Sequence, residues 1–301
     1  MPKAKPAVFL VDSSIYVFRA WFTLPDTLVT RDNEPANALY GFSDFLVSLL
    51  ANENPKHIAC AFDQSLSQSY RNEIYPAYKA NRDPAPPELE RQFDYCRQLV
   101  RTAGIAEFAS ERYEADDIIG TLCFHMRNSG FRNFIISGDK DLTQLVEEHD
   151  CWWEYARDKR MDRKGVFSEF GVYPEQIADL LALAGDAVDN IPGVPGIGVK
   201  TASRLLNKFG TLESTIENIE KIGSMKFRGA KRAQTLLAEH QEMARLSREL
   251  TLIQHDQQLP QNAQALRRRP YDAETLEALF DQFGFGKHRR QRWHATLSAA
   301  I

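Results

Sequence analysis

GDAVDNIPGVPGIGVKTA (residues 185–202) sets two aspartates, two prolines and four glycines ahead of Lys200. How this stretch is read decides the fold. It fails as a triphosphate loop: Gly193 and Gly198 have the right spacing, but Val199 stands where a lysine must follow the last glycine. It fails as a dinucleotide-binding turn as well, because no β-like run precedes it. Its flanks, ADLLALAG and KTASRLLNKF, have helical spacing, so the segment reads as helix, glycine hairpin, helix. Such a hairpin offers backbone amides at a helix N-terminus, where phosphate oxygens bind without base contacts. Taken alone it also reads as an ordinary turn between two helices. The charge tips the balance: residues 200–248 hold ten Lys or Arg against five Glu, a face suited to a duplex backbone.

Upstream the pattern changes. AVFLV (7–11), HIACAF (57–62), RNFII (132–136) and CWWEY (151–155) are short and β-rich, with helical periodicity over 36–51, 88–102 and 114–128. This alternation predicts an α/β fold with a central, mostly parallel sheet covered on both faces. After residue 174 strands are no longer expected, and helices are predicted over 230–246 and 273–283. The predicted organisation is an α/β domain over 1–172, an all-helical domain over 173–262 and a basic extension over 263–301.

The chain has 301 residues, 43% of them apolar, and a net charge of −4, which bounds it to a folded globular protein whose total charge advertises no nucleic acid. Cys60, Cys96, Cys123 and Cys151 are far apart and show no zinc spacing, so they read as reduced core thiols. The first apolar run ends at Asp12, too short for a signal or a membrane span, and a cytoplasmic location without membrane contact is expected.

Acids follow the first three β-like runs: Asp12, Asp63 and Asp139. The carboxyl ends of strands in an open parallel sheet share one edge, where ligands bind. YEADD adds Glu114, Asp116 and Asp117; GDKD adds Asp141; the opening stretch adds Asp186 and Asp189. Singly, each reads as well as a cap, a turn residue or a partner of a helix dipole. Jointly, nine acids in one neighbourhood repel unless cations take up the charge. Carboxylate oxygens without histidine or thiolate suit Mg²⁺ or Mn²⁺, and nine exceed what one octahedral ion needs. Two ions are expected, the arrangement that hydrolyses phosphodiesters. In SYRNEIYPAYKANR (69–82), Tyr70, Tyr75 and Tyr78 interleave with Arg71, Lys79 and Arg82, which reads either as a solvated loop or as a surface for bases and phosphates.

LVDSS, FD at 62–63, YPAYKANR, YEADD, SGDKDLTQL and GDAVDNIPGVPGIGVKTA occur in order, and with them the sequence resembles the 5′ nuclease family: bacterial 5′→3′ exonucleases, flap endonucleases and the N-terminal nuclease domain of bacterial DNA polymerase I. The resemblance implies a PIN-like domain followed by a helix-hairpin-helix domain. It implies a first metal among Asp12, Asp63, Glu114, Asp116 and Asp117, and a second among Asp139, Asp141, Asp186 and Asp189, with Asp116 between them and catalytic. Lys79 and Arg82 become catalytic residues at the base of a helical arch over 78–103 that passes a single-stranded 5′ end. Arg71, Tyr78, Lys79, Arg82, Gly193, Gly196, Gly198, Lys200, Thr201 and Arg204 become DNA contacts, and the carbonyls of Gly193, Val194, Gly196 and Gly198 a potassium site. The implied partners are DNA 5′ ends, flaps and branches, with a functional link to a DNA polymerase and ligase. A monomeric, stand-alone nuclease is expected, since the sequence stops at Ile301. Two rival readings use the same residues differently: a branched-DNA-binding protein whose acids house a structural ion, and a PIN-like ribonuclease. The seven Lys or Arg of 263–301 read equally as a DNA contact or a solvated tail.

Overall fold

The computed structural model describes residues 5–64, 69–255 and 258–299. In chain order the elements are β1 (Ala7–Asp12), α1 (Ser13–Thr23), α2 (Asn37–Glu53), β2 (Ile58–Asp63), α3 (Tyr70–Ile74), α4 (Pro87–Thr102), β3 (Ala106–Ser110), α5 (Ala115–Asn128), β4 (Arg132–Ile136), β5 (Cys151–Glu154), β6 (Lys159–Met161) and α6 (Arg163–Phe170). Only helices follow: α7 (Ile177–Ala184), α8 (Val199–Phe209), α9 (Leu212–Glu217), α10 (Ile219–Ile222), α11 (Ala230–Glu239), α12 (Gln241–Thr251), α13 (Ala273–Phe283) and α14 (Lys287–Ser298).

The strands form one sheet in the order β3-β2-β1-β4-β5-β6, parallel except for β6. Side chains of a strand alternate between faces. Val8 and Leu10 therefore join Ala59, Ala61 and Ile135 in a core under α5, α7 and α8. Phe9 and Val11 join Ile58, Cys60, Phe62 and Ile136 in a second core under α1, α2 and α4. Both faces are covered, which is why these strands read as continuous apolar runs. The chain reverses direction across the sheet between β1 and β4, so a crevice opens at their carboxyl ends.

Three expectations are corrected. The sequence places an arch over 78–103, but α4 buries Leu89, Phe93, Cys96, Leu99 and Val100 against the core. Its Gln92, fully buried, accepts the amides of Ala38 (2.7 Å) and Leu39 (3.1 Å). An amphipathic stripe looks the same whether it faces a core or a substrate strand. The extension 263–301 is not a solvated tail: α13 and α14 return to α2 and α4, burying Phe280, Phe283, Phe285 and Trp293, whose indole donates to Ser43 Oγ at 2.9 Å. Two of its arginines are answered by acids, Arg289 by Asp44 and Arg290 by Glu277 and Asp281. The third concerns the helix expected over 230–246, which breaks at His240 into α11 and α12. Strands β3 and β6 escape the reading because one is a half-exposed run of mixed polarity and the other spans three residues. The four cysteines are free thiols, and among the described residues no helix is long and apolar enough to cross a membrane.

Candidate active site

Serines tie the strand ends together. Asp12 Oδ1 caps α1 by accepting the Ile15 amide (3.4 Å), and its Oδ2 accepts Ser137 Oγ (2.7 Å). Ser137 Oγ in turn accepts the Asp139 amide (2.9 Å), and Asp139 Oδ1 accepts the Asp141 amide (2.8 Å). Beyond β2, Asp63 accepts the Ala115 amide (2.8 Å) and donates its own amide to Ser14 Oγ (2.9 Å), which fixes the first turn of α5 beside β1. Glu114 and Asp116 stand on that turn.

Five of these carboxylates have no ion-pair partner among the described residues, and their charged form is disfavoured. Burial, with the charges of Asp63 and Asp139, raises Asp12 from an ordinary 3.8 to about 7. Burial, then the charges of Asp139, Asp186 and Asp189, raises Asp141 to about 8 against the opposing pull of Lys140. Asp116 is pushed well above its usual range by burial and by Asp139 and Asp12; Asp63 and Asp139 are raised by burial, with Glu114 adding to the first and Asp189 to the second. The fold thus holds Asp12, Asp63, Glu114, Asp116, Asp139, Asp141, Asp186 and Asp189 in one cleft against their mutual repulsion.

The other three acids of the cleft have protein cations. Glu114 meets Lys79 Nζ (2.9 Å), Arg71 (3.2 Å) and the Tyr78 hydroxyl (3.1 Å). Burial works against its charge, but Lys79 and Arg71 prevail and hold it below the usual range. Asp189 meets Arg82, with Lys79 at 3.7 Å, and Asp186 meets Lys140 Nζ at 2.8 Å. Burial alone lowers Lys79, yet Glu114 and the other acids keep it well above its ordinary value and charged. Residues 75–82 are docked on the loop at 186–190: Lys79 donates its amide to Asp189 O (3.0 Å), Asn81 its side chain to Ala187 O (3.0 Å) and Asn190 its side chain to Ala77 O (2.6 Å).

Asp117 does not join the cleft, although the sequence counts it as a metal ligand. It is fully buried, and both oxygens receive the Arg71 guanidinium, at 2.8 and 2.9 Å, together with the amides of Glu114 and Gln254. Arg71, buried too and also bonded to Leu250 O at 2.8 Å, leaves the DNA-binding set for the same reason. Tyr78 and Tyr70 are 4% and 8% exposed and have no free face for a base. Their burial is invisible in an alternation of aromatic and basic residues. At the hairpin, Gly193 lies inside: its φ is +59°, a Cβ there would stand 2.2 Å from Gly185 N, and its amide donates to Ser247 Oγ (3.1 Å). Val194 is buried beside it, and its carbonyl and that of Gly198 accept turn amides. Gly196, Gly198, Lys200 and Arg204 face solvent, and Thr201 is half-buried. Lys140, Ser14 and Ser137 were missed as parts of the site; the lysine of SGDKD was the available signal.

The donor set is one of hard oxygens, and the buried Asp141 Oδ1 has no hydrogen-bond partner. Both features fit divalent cations of the magnesium kind. Among the described residues no three acids, histidines or cysteines already surround a common point, so ions would draw the carboxylates together.

Comparison with known proteins agrees with this fold. The family description "5'-3' exonuclease, N-terminal resolvase-like domain" matches residues 7–171, and "5'-3' exonuclease, C-terminal SAM fold" matches residues 172–274. DNA polymerase I of Bacillus caldotenax is 41% identical over 286 residues, 93% of this chain and 32% of that protein. DNA polymerase I of Mycobacterium leprae is 37% identical over 302 residues, 98% of this chain and 32% of that protein. The chain thus spans about a third of the length of the curated relatives it matches. In fold it is similar to T5 5′-exonuclease, solved with zinc bound, at a TM-score of 0.65, 19% identity and coverage of 98% and 100% of the two chains. The catalytic core of Rad2 in complex with DNA substrate gives a TM-score of 0.66 at 14% identity, covering 99% and 93%. With a resolvase-like sheet, acids collected at its carboxyl edge and a helical region behind them, the chain belongs to the 5′-3′ exonuclease family.

Proposed function

We propose that this chain hydrolyses DNA phosphodiester bonds near 5′ ends, as a 5′→3′ exonuclease and at flaps, with two Mg²⁺ or Mn²⁺ ions. The observation that carries the reading is the group of five carboxylates, Asp12, Asp63, Asp116, Asp139 and Asp141, held in one cleft with no ion pair to any of them among the described residues, where burial and like charge outweigh the pull of Lys79 and Lys140. Asp12, Asp63, Glu114 and Asp116 would hold one ion and Asp139, Asp141, Asp186 and Asp189 the other. Bound there, such ions supply an activated water and stabilise the leaving oxygen.

The chain's own residues do the rest. Ser137 and Ser14 orient Asp12 and the end of β2, which limits how far these ligands must move to reach an ion. Lys79 and Arg82, both cationic and both at the rim, are aimed where charge gathers on the phosphoryl oxygens. Exposed amides at Gly196 and Gly198, with Lys200, Thr201 and Arg204, hold the duplex backbone without reading bases. A potassium ion on hairpin carbonyls and hand-over of products to a polymerase and ligase belong to the same reading, as does a division near residue 172.

The test is a 5′-end-labelled flap incubated with Mg²⁺ and, separately, with EDTA. Short labelled products with Mg²⁺ alone are expected: mononucleotides mark exonuclease action and whole-flap release marks endonuclease action. No product from wild type in Mg²⁺ or Mn²⁺ overturns the proposal.

A further inference from the structure

The edge of the sheet opposite the acidic cleft carries the reverse charge. Lys56 stands two residues before β2, Gly104 two before β3, and Arg267, Arg268 and Arg269 run past both. The run is held by its backbone: His57 and Arg267 form a β-bridge, Arg268 donates its amide to Lys56 O (2.9 Å) and Arg269 its amide to Gly104 O (2.9 Å). Gly104 has φ +75°, and a Cβ there would stand 2.2 Å from Arg269 O, so the close approach requires glycine. The arginine run is therefore fixed in place, not a mobile tail.

Asn54, Pro55, Lys56, Gln264 and the three arginines, with Tyr271 and Leu297, line a cleft of about 570 Å³ that contains no acid. None of the four cations forms an ion pair among the described residues. Arg268 is half-buried, with Asn54 Oδ1 at 3.2 Å as its side-chain partner, and burial lowers it below its ordinary value. A guanidinium partly withdrawn from water without a carboxylate is costly, and a cleft lined by four cations and no acid leaves their charge unbalanced. An anion relieves both. The arginine fork matches phosphate oxygens, and the volume lies in the range of nucleotide-sized ligands.

We propose that this cleft is a phosphate-binding site, separate from the acidic cleft, for a ligand bearing two or three consecutive phosphates. Two sources share that chemistry: a free nucleoside triphosphate, with its base against Tyr271, and successive phosphates of a nucleic-acid strand. The site stands on its own observations and does not depend on the cleavage reaction.

Calorimetric titration of the whole protein in EDTA, which leaves the acidic cleft without metal, tests it with tripolyphosphate, a nucleoside triphosphate and a short single strand in parallel. Tripolyphosphate is expected to bind, with Arg268→Gln and Lys56→Ala each weakening it about tenfold, as the loss of one charged hydrogen bond implies. Lys164→Ala, an exposed control on α6, is expected to leave binding as in wild type. A nucleotide that binds more tightly than tripolyphosphate assigns the free-nucleotide source; a strand that does so, with the same dependence on Arg268, assigns nucleic acid. No binding of tripolyphosphate to wild type, or binding indifferent to both Arg268→Gln and Lys56→Ala, overturns the proposal. Lys56 is exposed, so its variant keeps the test decisive should Arg268→Gln fail to fold.

Discussion

Asp116 and Asp117 are consecutive residues on the first turn of α5, and they live in opposite electrostatic worlds. Neighbours on a helix point about 100° apart. One therefore enters a cleft of like charges, whose repulsion and burial outweigh the pull of Lys79, while the other enters the interior and meets Arg71 in a two-point pair. The same contrast divides the whole site. Glu114, Asp186 and Asp189 are answered by Lys79, Lys140 and Arg82, whereas Asp12, Asp63, Asp139 and Asp141 keep a repulsion that the fold itself does not cancel. Carboxylates that are paired hold the structure; those left unpaired are available for chemistry.

Substitutions at the two neighbours separate these roles most sharply. Asp116→Ala is expected to lower flap cleavage by about 10³-fold or more while DNA affinity stays within about twofold, read by product formation and by a binding assay in Ca²⁺. Near-wild-type cleavage by this variant breaks the contrast. Asp117→Ala acts on stability instead: it takes from the buried Arg71 its two-point partner and leaves it only Glu114, at a cost of about 3 kcal/mol in urea unfolding. The double substitution Arg71→Met with Asp117→Leu is expected to recover most of that loss. A single variant that unfolds no more easily than wild type removes the pair from the architecture.

A smaller effect is expected at the rim. Lys79→Ala removes the cation nearest Glu114 and is expected to slow cleavage by about 10²- to 10³-fold, with Lys79→Arg intermediate. Equal loss in both variants would mean that the lysine's shape matters more than its charge.

The gentlest probe is pH. In metal-free protein, acids whose folded values lie above the ordinary 3.8 bind protons more readily folded than unfolded. Their contribution is fully present below about pH 4 and is lost as pH rises through the folded values of about 7 for Asp12 and 8 for Asp141. Glu114, lowered by its cations, works in the opposite sense and loses its contribution only in acid. Metal-free protein is therefore expected to unfold at lower urea at pH 8 than at pH 5.5. A flat profile would mean that the cleft is already neutralised.

Much of this was legible in the residues. β1, β2 and β4 were readable because each is an apolar run of fixed length ending in an acid or a short acid-bearing turn. Helix α13 was readable because its periodicity is clean. The convergence of the acids followed from the rule that parallel strands share a carboxyl edge. What stayed hidden was direction. Sequence shows that Tyr78, Arg71 and Asp117 are polar or aromatic, not which of them turns inward, and spacing alone cannot tell whether α4 faces a core or a substrate. The return of α13 and α14 onto α2 was masked by the basic residues around Trp293, because long charged side chains surround an apolar anchor without revealing it.

The central claim is that the unpaired carboxylates are a built place for divalent cations. Thermal unfolding of metal-free protein at pH 8, with and without millimolar Mg²⁺, addresses it most directly. Mg²⁺ is expected to raise the Tm by several degrees in wild type through binding to the folded state, and by clearly less in Asp116→Ala, whose metal-free Tm should already lie higher. A wild-type Tm that does not move with Mg²⁺ or Mn²⁺ contradicts the account.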